Sequence, residues 1–515
     1  MNNMSPKNKY MWTIKIKNGE IISIDGKSPI WTGNVPPNRD NLYLLWWINT
    51  SPEKILVNPD TKGSGGLWIA LELLPERKGI RIFDTIRVVE NLFFWFEDSE
   101  LYISNFPPPK KPDKKNIEKF IETGELPLWE TYFEDVYQLP IASELTVTWK
   151  NGSPDVVRKM LPIDELSEDK SITSEDFAIE MRNTIERQIL ALSEEIVSNN
   201  VRALLALSGG LDSSAVYAIL DKIARTKIPE LREKIVAAVI SVSDYDKINE
   251  TKFAKLAARN GIIPLEIVSL ESSEIWDITQ STPSLFVQPT SEFTSIAEAK
   301  LFSWAATRGF EYIITGTFGV DYALGNKYGM LLKYIKYFAK HSPRTALKLL
   351  NHIDFKNILK LYIIQRRGGN YAQNLNFKKT RYPSLHREIA SKAILVETFR
   401  IRDMLAKNLG LMSKMPIDNA LIRAALKMPV EEKLKNGWLK YPVRIAFEDI
   451  LPREIVWRKD KSGFPVPEYD WMHKIAHENE LEDILYEANS NPLKFWRILS
   501  SRMFADWCNN EIKNK

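Results

Sequence analysis

Seven residues constrain this chain more than any others: Ser208-Gly209-Gly210-Leu211-Asp212-Ser213-Ser214. Ahead of them runs a short apolar stretch, Ala203 to Leu207, and behind them a helix-like segment from about Ser213 to Ile223. A buried strand therefore feeds a glycine-rich turn that opens a helix. Paired glycines let the backbone come close to an anion, and the helix adds its positive end. The hydroxyls of Ser208, Ser213 and Ser214 can donate to phosphate oxygens. Asp212 would be repelled by bare phosphate, so its place in the loop implies Mg²⁺ bridging the phosphates. The Gly-Lys-Ser/Thr ending of a Walker A loop is missing. A bare structural turn is the competing reading.

The surrounding sequence predicts the sheet that such a loop needs. Ile235 to Val242 reads as a second buried strand, Pro264 to Val268 as a third and Tyr312 to Thr315 as a fourth. Helices are expected over about Glu250 to Asn260 and Ala297 to Arg308. Strand alternating with helix predicts an α/β fold, a doubly wound parallel sheet with ligands at the carboxyl ends of its strands. Upstream, Phe177, Met181, Ile185, Ile189, Leu192 and Ile196 mark an amphipathic helix that Thr173 or Ser174 can cap. Residues 1–165 read instead as β-rich. Trp12 to Ile16 alternates and turns at Asn18-Gly19, Leu92 to Phe96 and Leu101 to Ser104 flank a polar turn, and Glu144 to Trp149 reads as the last strand there. With 515 residues the chain exceeds one core, and two domains are expected, 1–165 and 175–515, the second mainly helical after about 327. Hydrophobic residues at 44% and charged residues at 26% are ordinary for a globular protein. A formal charge of +4 does not argue for nucleic acid or membrane. A single cysteine, Cys508, excludes an internal disulfide and a cysteine-rich zinc site. Neither a leader nor a spanning helix is expected, and the chain reads as cytoplasmic.

The loop and its preceding strand resemble the pyrophosphate loop of N-type ATP pyrophosphatases. Two further stretches narrow the resemblance to the asparagine synthetase superfamily. Thr315-Gly316-Thr317-Phe318-Gly319-Val320-Asp321 is similar to that superfamily's second glycine-rich loop. The segment from Met415 to Pro467 follows the superfamily through Trp457-Arg458 and ends Lys461-Ser462-Gly463-Phe464-Pro465-Val466-Pro467, matching Lys-x-Gly-Phe-x-x-Pro. The resemblance covers about Phe177 to Pro467. It implies that Leu207, Ser208, Gly209, Gly210, Asp212, Ser213, Ser214, Val242 and Gly316 frame ATP. It further implies that Asp212 and Asp321 hold Mg²⁺, and that Lys461 is the catalytic lysine neutralising charge on the α-phosphate and the tetrahedral intermediate. The expected activity is an AMP-forming carbon–nitrogen ligase that adenylates a carboxylate.

The chain also departs from that pattern. Glutamine-using relatives begin Met-Cys, whereas this chain begins Met1-Asn2, so glutaminase chemistry is not expected. Yet Thr131 to Pro140 and the hairpin around Leu92 to Ser104 resemble a glutaminase domain, here in a degenerate form without a nucleophile. Thr317 stands where the second loop usually has glutamate, and Leu411-Met412-Ser413 stands for an expected Glu-x-Arg. Both changes remove charge expected to meet an amino acid, which argues against aspartate as substrate. The segment Asn326 to Arg381 is strongly basic, with Asp354 its only acid. It reads first as a solvated helical surface, and alternatively as a surface for an acidic peptide or RNA. The expected partners are a small-molecule or peptide carboxylate and ammonia or another amine. A homodimer or partner protein is left open, membrane is excluded and RNA is disfavoured. The rival readings are a peptide or β-lactam cyclase of the same superfamily, an RNA-modifying ATP pyrophosphatase, and a nucleotide-binding pseudoenzyme.

Overall fold

The computed structural model describes residues 11–26, 42–48, 67–84, 90–140, 143–160, 167–243, 245, 250–316, 318, 320, 324, 331–351, 398–459 and 466–513. In the N-terminal part, β1 (Trp12–Lys17) and β2 (Glu20–Gly26) form a hairpin whose turn residues Asn18 and Gly19 have φ of 50° and 83°. That left-handed pair matches the twist of the strands it joins. Then come β3 (Leu42–Ile48), β4 (Leu67–Leu74), β5 (Gly79–Asp84), β6 (Phe93–Glu97), β7 (Glu100–Ser104), helix α1 (Lys114–Thr123), β8 (Val136–Gln138), β9 (Ser143–Lys150) and β10 (Ser153–Met160). They make two antiparallel sheets, ordered β2-β1-β7-β6-β8 and β10-β9-β5-β4-β3. Between them lie Trp12, Ile14, Ile80, Phe94, Ile103, Val147 and neighbours, a core of aromatic and branched side chains. The strand β9 is not the last here, because Asn151-Gly152 turns the chain back into β10. β10 carries Pro154 and no fully buried residue, which suits an edge strand and leaves no apolar alternation in its sequence.

Helix α2 (Ser174–Ser198) follows, capped by the Thr173 side chain, which accepts from the Asp176 N–H. The parallel sheet then comprises β11 (Ala203–Ala206), β12 (Ile235–Val242), β13 (Leu265–Leu270), β14 (Tyr312–Thr315) and β15 (Met412–Lys414), in the order β13-β12-β11-β14-β15. Its longer helices, among the described residues, are α3 (Leu211–Thr226), α4 (Thr251–Ala258), α5 (Ile275–Phe286), α6 (Thr294–Thr307), α7 (Leu331–His341), α8 (Pro343–Asn351), α9 (Thr398–Asn408), α10 (Asn419–Lys427), α11 (Tyr441–Phe447), α12 (Glu468–Glu478) and α13 (Pro492–Lys513). Side chains alternate between the two faces of the sheet. Ala203, Leu205, Val239 and Ile314 pack with α2, α3, α10 and α11 on one side. Leu204, Ile240, Val242 and Ile313 pack with α5, α6, α9, α12 and α13 on the other. Both faces are covered, so the sheet is doubly wound. β11 is central, and the chain runs outward from it first through β12 and β13, then through β14 and β15. The carboxyl end of β11 is therefore the topological switch point, where this architecture binds ligands.

The two halves share buried contacts. Phe93 and Trp95, on the outer face of β6, meet Ile117 of α1, Met404 of α9 and Phe504 and Cys508 of α13. The buried Lys407 ammonium of α9 contacts the Glu90 carboxylate from the N-terminal part and lies 2.7 Å from Asp403 Oδ2. Beside this cluster, Arg400 Nη1 donates to the Leu139 carbonyl at 2.7 Å, and Asn91 Nδ2 donates to the Arg400 carbonyl at 2.9 Å. Among the described residues no helix is long and apolar enough to cross a membrane.

Candidate nucleotide site

The loop after β11 is positioned by its neighbours before any ligand is considered. Leu207 N–H donates to the Ala238 carbonyl at 2.8 Å, which extends the ladder and aims Ser208 beyond the sheet. Gly209 has a φ of 68°, and a Cβ there would lie 2.7 Å from the Ala254 nitrogen and 2.7 Å from Phe253 Cβ at the start of α4. Only glycine satisfies both the backbone angle and the close approach. Gly210 is the N-cap of α3 and offers no side-chain cap. The first-turn N–H groups of α3 thus meet no capping side chain from that position, which suits them to an anion. Gly316, just past β14, closes the floor: a Cβ there would lie 2.2 Å from Ser213 Cα.

The serines form a small network in the loop. Ser208 Oγ and Ser213 Oγ are 3.2 Å apart, and Ser213 Oγ donates to the Gly210 carbonyl at 3.3 Å. Ser214 Oγ is buried and, among the described residues, has no hydrogen-bond partner. Val242 ends β12, and the next residue's hydroxyl, Ser243 Oγ, lies 2.9 Å from Ser269 Oγ across the carboxyl edge of the sheet. The structure thus brings Leu207, Ser208, Gly209, Gly210, Asp212, Ser213, Ser214 and Gly316 together at the switch point, with Val242 at the end of the adjoining strand. Asp321, Thr317 and Lys461 lie outside the described residues.

Two features of this site escaped the sequence reading. Lys440 Nζ lies 2.7 Å from Asp212 Oδ2, and both side chains are largely shielded. Lys440 has a φ of 56° and immediately precedes α11, so the bend before that helix swings the ammonium onto the loop. Nothing in Leu439-Lys440-Tyr441 separates it by charge pattern from the many other lysines. The second feature is a fork: Arg458 donates to both Glu250 oxygens, at 2.6 and 2.7 Å. Its guanidinium also sits 3.5 Å from the ring centroid of Phe253, whose Cβ and backbone crowd Gly209. Arg458, within the segment Met415 to Pro467, is thereby fixed against the start of α4 beside the phosphate loop. Leu411 is 1% exposed and packs in the core, while Lys414 Nζ of β15 binds Glu195 at 2.6 Å. That stretch therefore supplies core packing and a structural ion pair.

A loop of this shape, uncapped at a helix end and faced by an ammonium, fits the phosphates of a nucleotide. Asp212 is its described carboxylate. Among the described residues no cluster of three potential metal ligands occurs.

A sequence model described as asparagine synthase matches residues 191–509, well over half of the chain. The chain belongs to the asparagine synthase family. A member in Bacillus subtilis (strain 168), asparagine synthetase [glutamine-hydrolyzing] 1, is 26% identical over 203 residues, which cover 35% of this chain and 30% of that protein. The match thus spans about a third of that relative's length. Among solved structures, the chain is similar to a glutamine-dependent NAD⁺ synthetase from Acinetobacter baumannii in complex with ADP. There the identity is 15% and the TM-score 0.22, covering 40% of this chain and 34% of that one. It is also similar to the U34-tRNA thiolase NcsA from Methanococcus maripaludis with its [4Fe-4S] cluster, at 14% identity and a TM-score of 0.24, covering 69% and 87%. At scores this low the fold rests on the strand order itself.

Proposed function

We propose that this family member is an AMP-forming ligase. A substrate carboxylate oxygen attacks the α-phosphorus of ATP, the bond to the bridging β-phosphate oxygen breaks, and pyrophosphate leaves. An amine then attacks the acyl carbon, loses a proton, and expels AMP. One observation carries this reading: the Ser208–Ser214 loop, opening an uncapped helix with the Lys440 ammonium held at its edge by Asp212. Its N–H groups and serine hydroxyls bind the pyrophosphate half of ATP, and Lys440 offsets charge as pyrophosphate departs. Asp212, with Asp321, would hold Mg²⁺, which neutralises phosphate charge when bound. Lys461 is the lysine assigned to the α-phosphate and the acyl centre. The Arg458–Glu250 fork lies three residues earlier in the chain.

The amine is ammonia or an amine of the substrate itself. The chain's one thiol, Cys508, is 2% exposed and burial pushes its pKa up to about 12, so it does not serve as a glutaminase nucleophile. We read 1–165 as a degenerate glutaminase-like domain kept for support, 175–515 as the synthetase, and the protein as cytoplasmic. ATP–pyrophosphate exchange with pooled carboxylates tests the proposal. Carboxylate-dependent exchange that disappears in Asp212→Ala supports it; a folded protein that binds no nucleotide overturns it.

A further inference from the structure

Helices α7 and α8 form a hairpin with two dissimilar faces. Tyr334, Phe338, Ala346 and Leu349 pack inward on Val430 and Leu434. The outward face carries Lys336 and Lys340, one turn apart on α7, and Arg344 and Lys348, one turn apart on α8. All four are exposed. Lys348 Nζ reaches only the neutral Asn436 side chain, at 3.4 Å, and among the described residues none of the four meets a carboxylate. Neither helix contains an acidic residue. Between Arg344 and Lys348 sits Leu347, 62% exposed. Solvated surface lysines are common, but a patch whose four basic groups pair with no carboxylate among the described residues, built around an exposed leucine, raises the local concentration of anionic partners; the nearby Glu431 is engaged by Tyr337.

The position of the hairpin is specific. Gly437 has a φ of 78°, and a Cβ there would lie 2.5 Å from the Leu349 nitrogen and 2.8 Å from Lys348 Cβ, so α8 rests directly on this turn. Three residues later comes Lys440, whose ammonium touches Asp212. Three residues span at most about 10 Å, so the Lys348 end of the basic face rests on the same turn that carries Lys440 to the nucleotide loop.

We propose that this face docks an acidic peptide whose carboxylate is the group activated at the ATP site. The proposal rests on the ligase reading and gives it a substrate class. A peptide fits better than single-stranded RNA because the hairpin's rings are engaged. Tyr334 and Phe338 are buried, and Tyr337 stacks on His341 while its hydroxyl binds Glu431. Bases would need free rings on which to stack. Leu347 instead offers an apolar contact that a peptide side chain can take.

The test uses full-length protein and a short fluorescein-labelled peptide of alternating Glu and Leu, read by anisotropy. Binding should weaken with salt and fall about tenfold or more in Arg344→Glu/Lys348→Glu. Leu347→Ser should weaken it without changing the salt dependence. Lys114→Glu/Lys115→Glu, the same charge change on α1, should bind like wild type. Equal loss in both double variants means bulk charge alone and overturns the docking face, as does displacement of the peptide by oligouridylate at lower concentration. Mg-ATP calorimetry on the same samples reads the nucleotide site separately. Intact Mg-ATP binding without peptide binding overturns the docking face. Peptide binding without Mg-ATP binding overturns the ligase reading and leaves the face standing.

Discussion

At the scale of single residues, the proposed chemistry turns on two lysines, Lys440 and Lys461. Lys440 is held by Asp212 and shielded from water, so its ammonium is set before phosphate arrives. A hydrogen bond to a charged group contributes about 1.5–3 kcal/mol. Lys440→Ala is therefore expected to weaken Mg-ATP binding by roughly ten- to hundredfold in calorimetry, with Asp212→Ala comparable or worse. Unchanged affinity in a folded variant would show that this ammonium does not face phosphate. Lys461 should behave differently, because its proposed contact strengthens as charge gathers in the transition state. Lys461→Ala should keep most Mg-ATP affinity and lose about 10²–10³ in pyrophosphate release, while Lys459→Ala stays nearly silent. A normal rate for Lys461→Ala would misplace the catalytic lysine. A third lysine, Lys433, bears on stability, and at neutral pH it costs the fold rather than supporting it. It is fully buried, its Nζ has the Leu426 carbonyl at 3.3 Å, and burial drives its pKa down to about 7, with the nearby charge of Glu168 opposing weakly. The unfolded chain keeps that lysine protonated up to its ordinary pKa, so the unfolded state binds more protons between about pH 7 and 10. Its contribution to stability must rise with pH over that window. Lys433→Met should be more stable at pH 7 in urea titrations and should lose that rise; an identical slope in both proteins rules out the buried charge. The glycines and serines of the loop were legible in the sequence because their chemistry is local. Lys440 was not, since what matters is a fold-made approach between residues 228 positions apart.

At the scale of elements, strand–loop–helix units announce themselves when an apolar run abuts a turn signal. β11, β12 and β14 are of that kind, and the parallel sheet could be read from them. β15 was missed because three residues of mixed polarity, Met412-Ser413-Lys414, carry no period; pairing with Tyr312 to Ile314 makes them a strand. Helix α5 was missed because Pro283 interrupts its pattern and Thr279 and Thr282 replace apolar residues on its buried face. Those hydroxyls donate to the Ile275 and Thr279 carbonyls within the same helix, which satisfies them in the core. Packing between elements is also where the site is most fragile. The end of β14 and the start of α3 meet at Gly316 and Ser213, with no room for a methyl group. Gly316→Ala must push the helix from the sheet and tilt the first-turn N–H groups. Mg-ATP binding should be lost in calorimetry even where circular dichroism shows the helices intact. Wild-type affinity in that variant would mean that the loop tolerates displacement and that the helix end is not the phosphate cradle.

At the scale of the whole molecule, the β-rich part and the parallel-sheet part are packed together rather than strung as beads. Phe93, Trp95 and Phe133 from one part and Met404, Phe504 and Cys508 from the other form a single apolar cluster. Beside it lies the buried group of Glu90, Lys407 and Asp403, with Arg400 bonded across to Leu139. Desolvation pushes the Glu90 and Asp403 carboxyls up, and the Lys407 ammonium between them opposes that shift; the two carboxylates in turn hold Lys407 above its usual range. Each charge in the group is tolerated because the others are present. Unfolding either part alone would expose the apolar cluster and strip Lys407 of Glu90. The protein should therefore unfold in one cooperative calorimetric transition, whereas parts joined only by a linker would give two. Lys407→Met leaves two carboxylates buried together and should cost roughly 3–5 kcal/mol, lowering or splitting that transition. Glu90→Gln mimics the protonated form that burial already favours, so it should cost much less. The sign with pH follows from the raised Glu90 pKa. The native state holds a proton that the unfolded state releases above about pH 4.5, so this group's contribution falls as pH rises toward neutrality. Scans at roughly pH 4.5 and 7.5, the two ends of this window, should show wild type losing stability relative to Glu90→Gln. Two separate transitions in the wild type, or Lys407→Met melting as wild type does, would mean that the buried charges do not join the two parts.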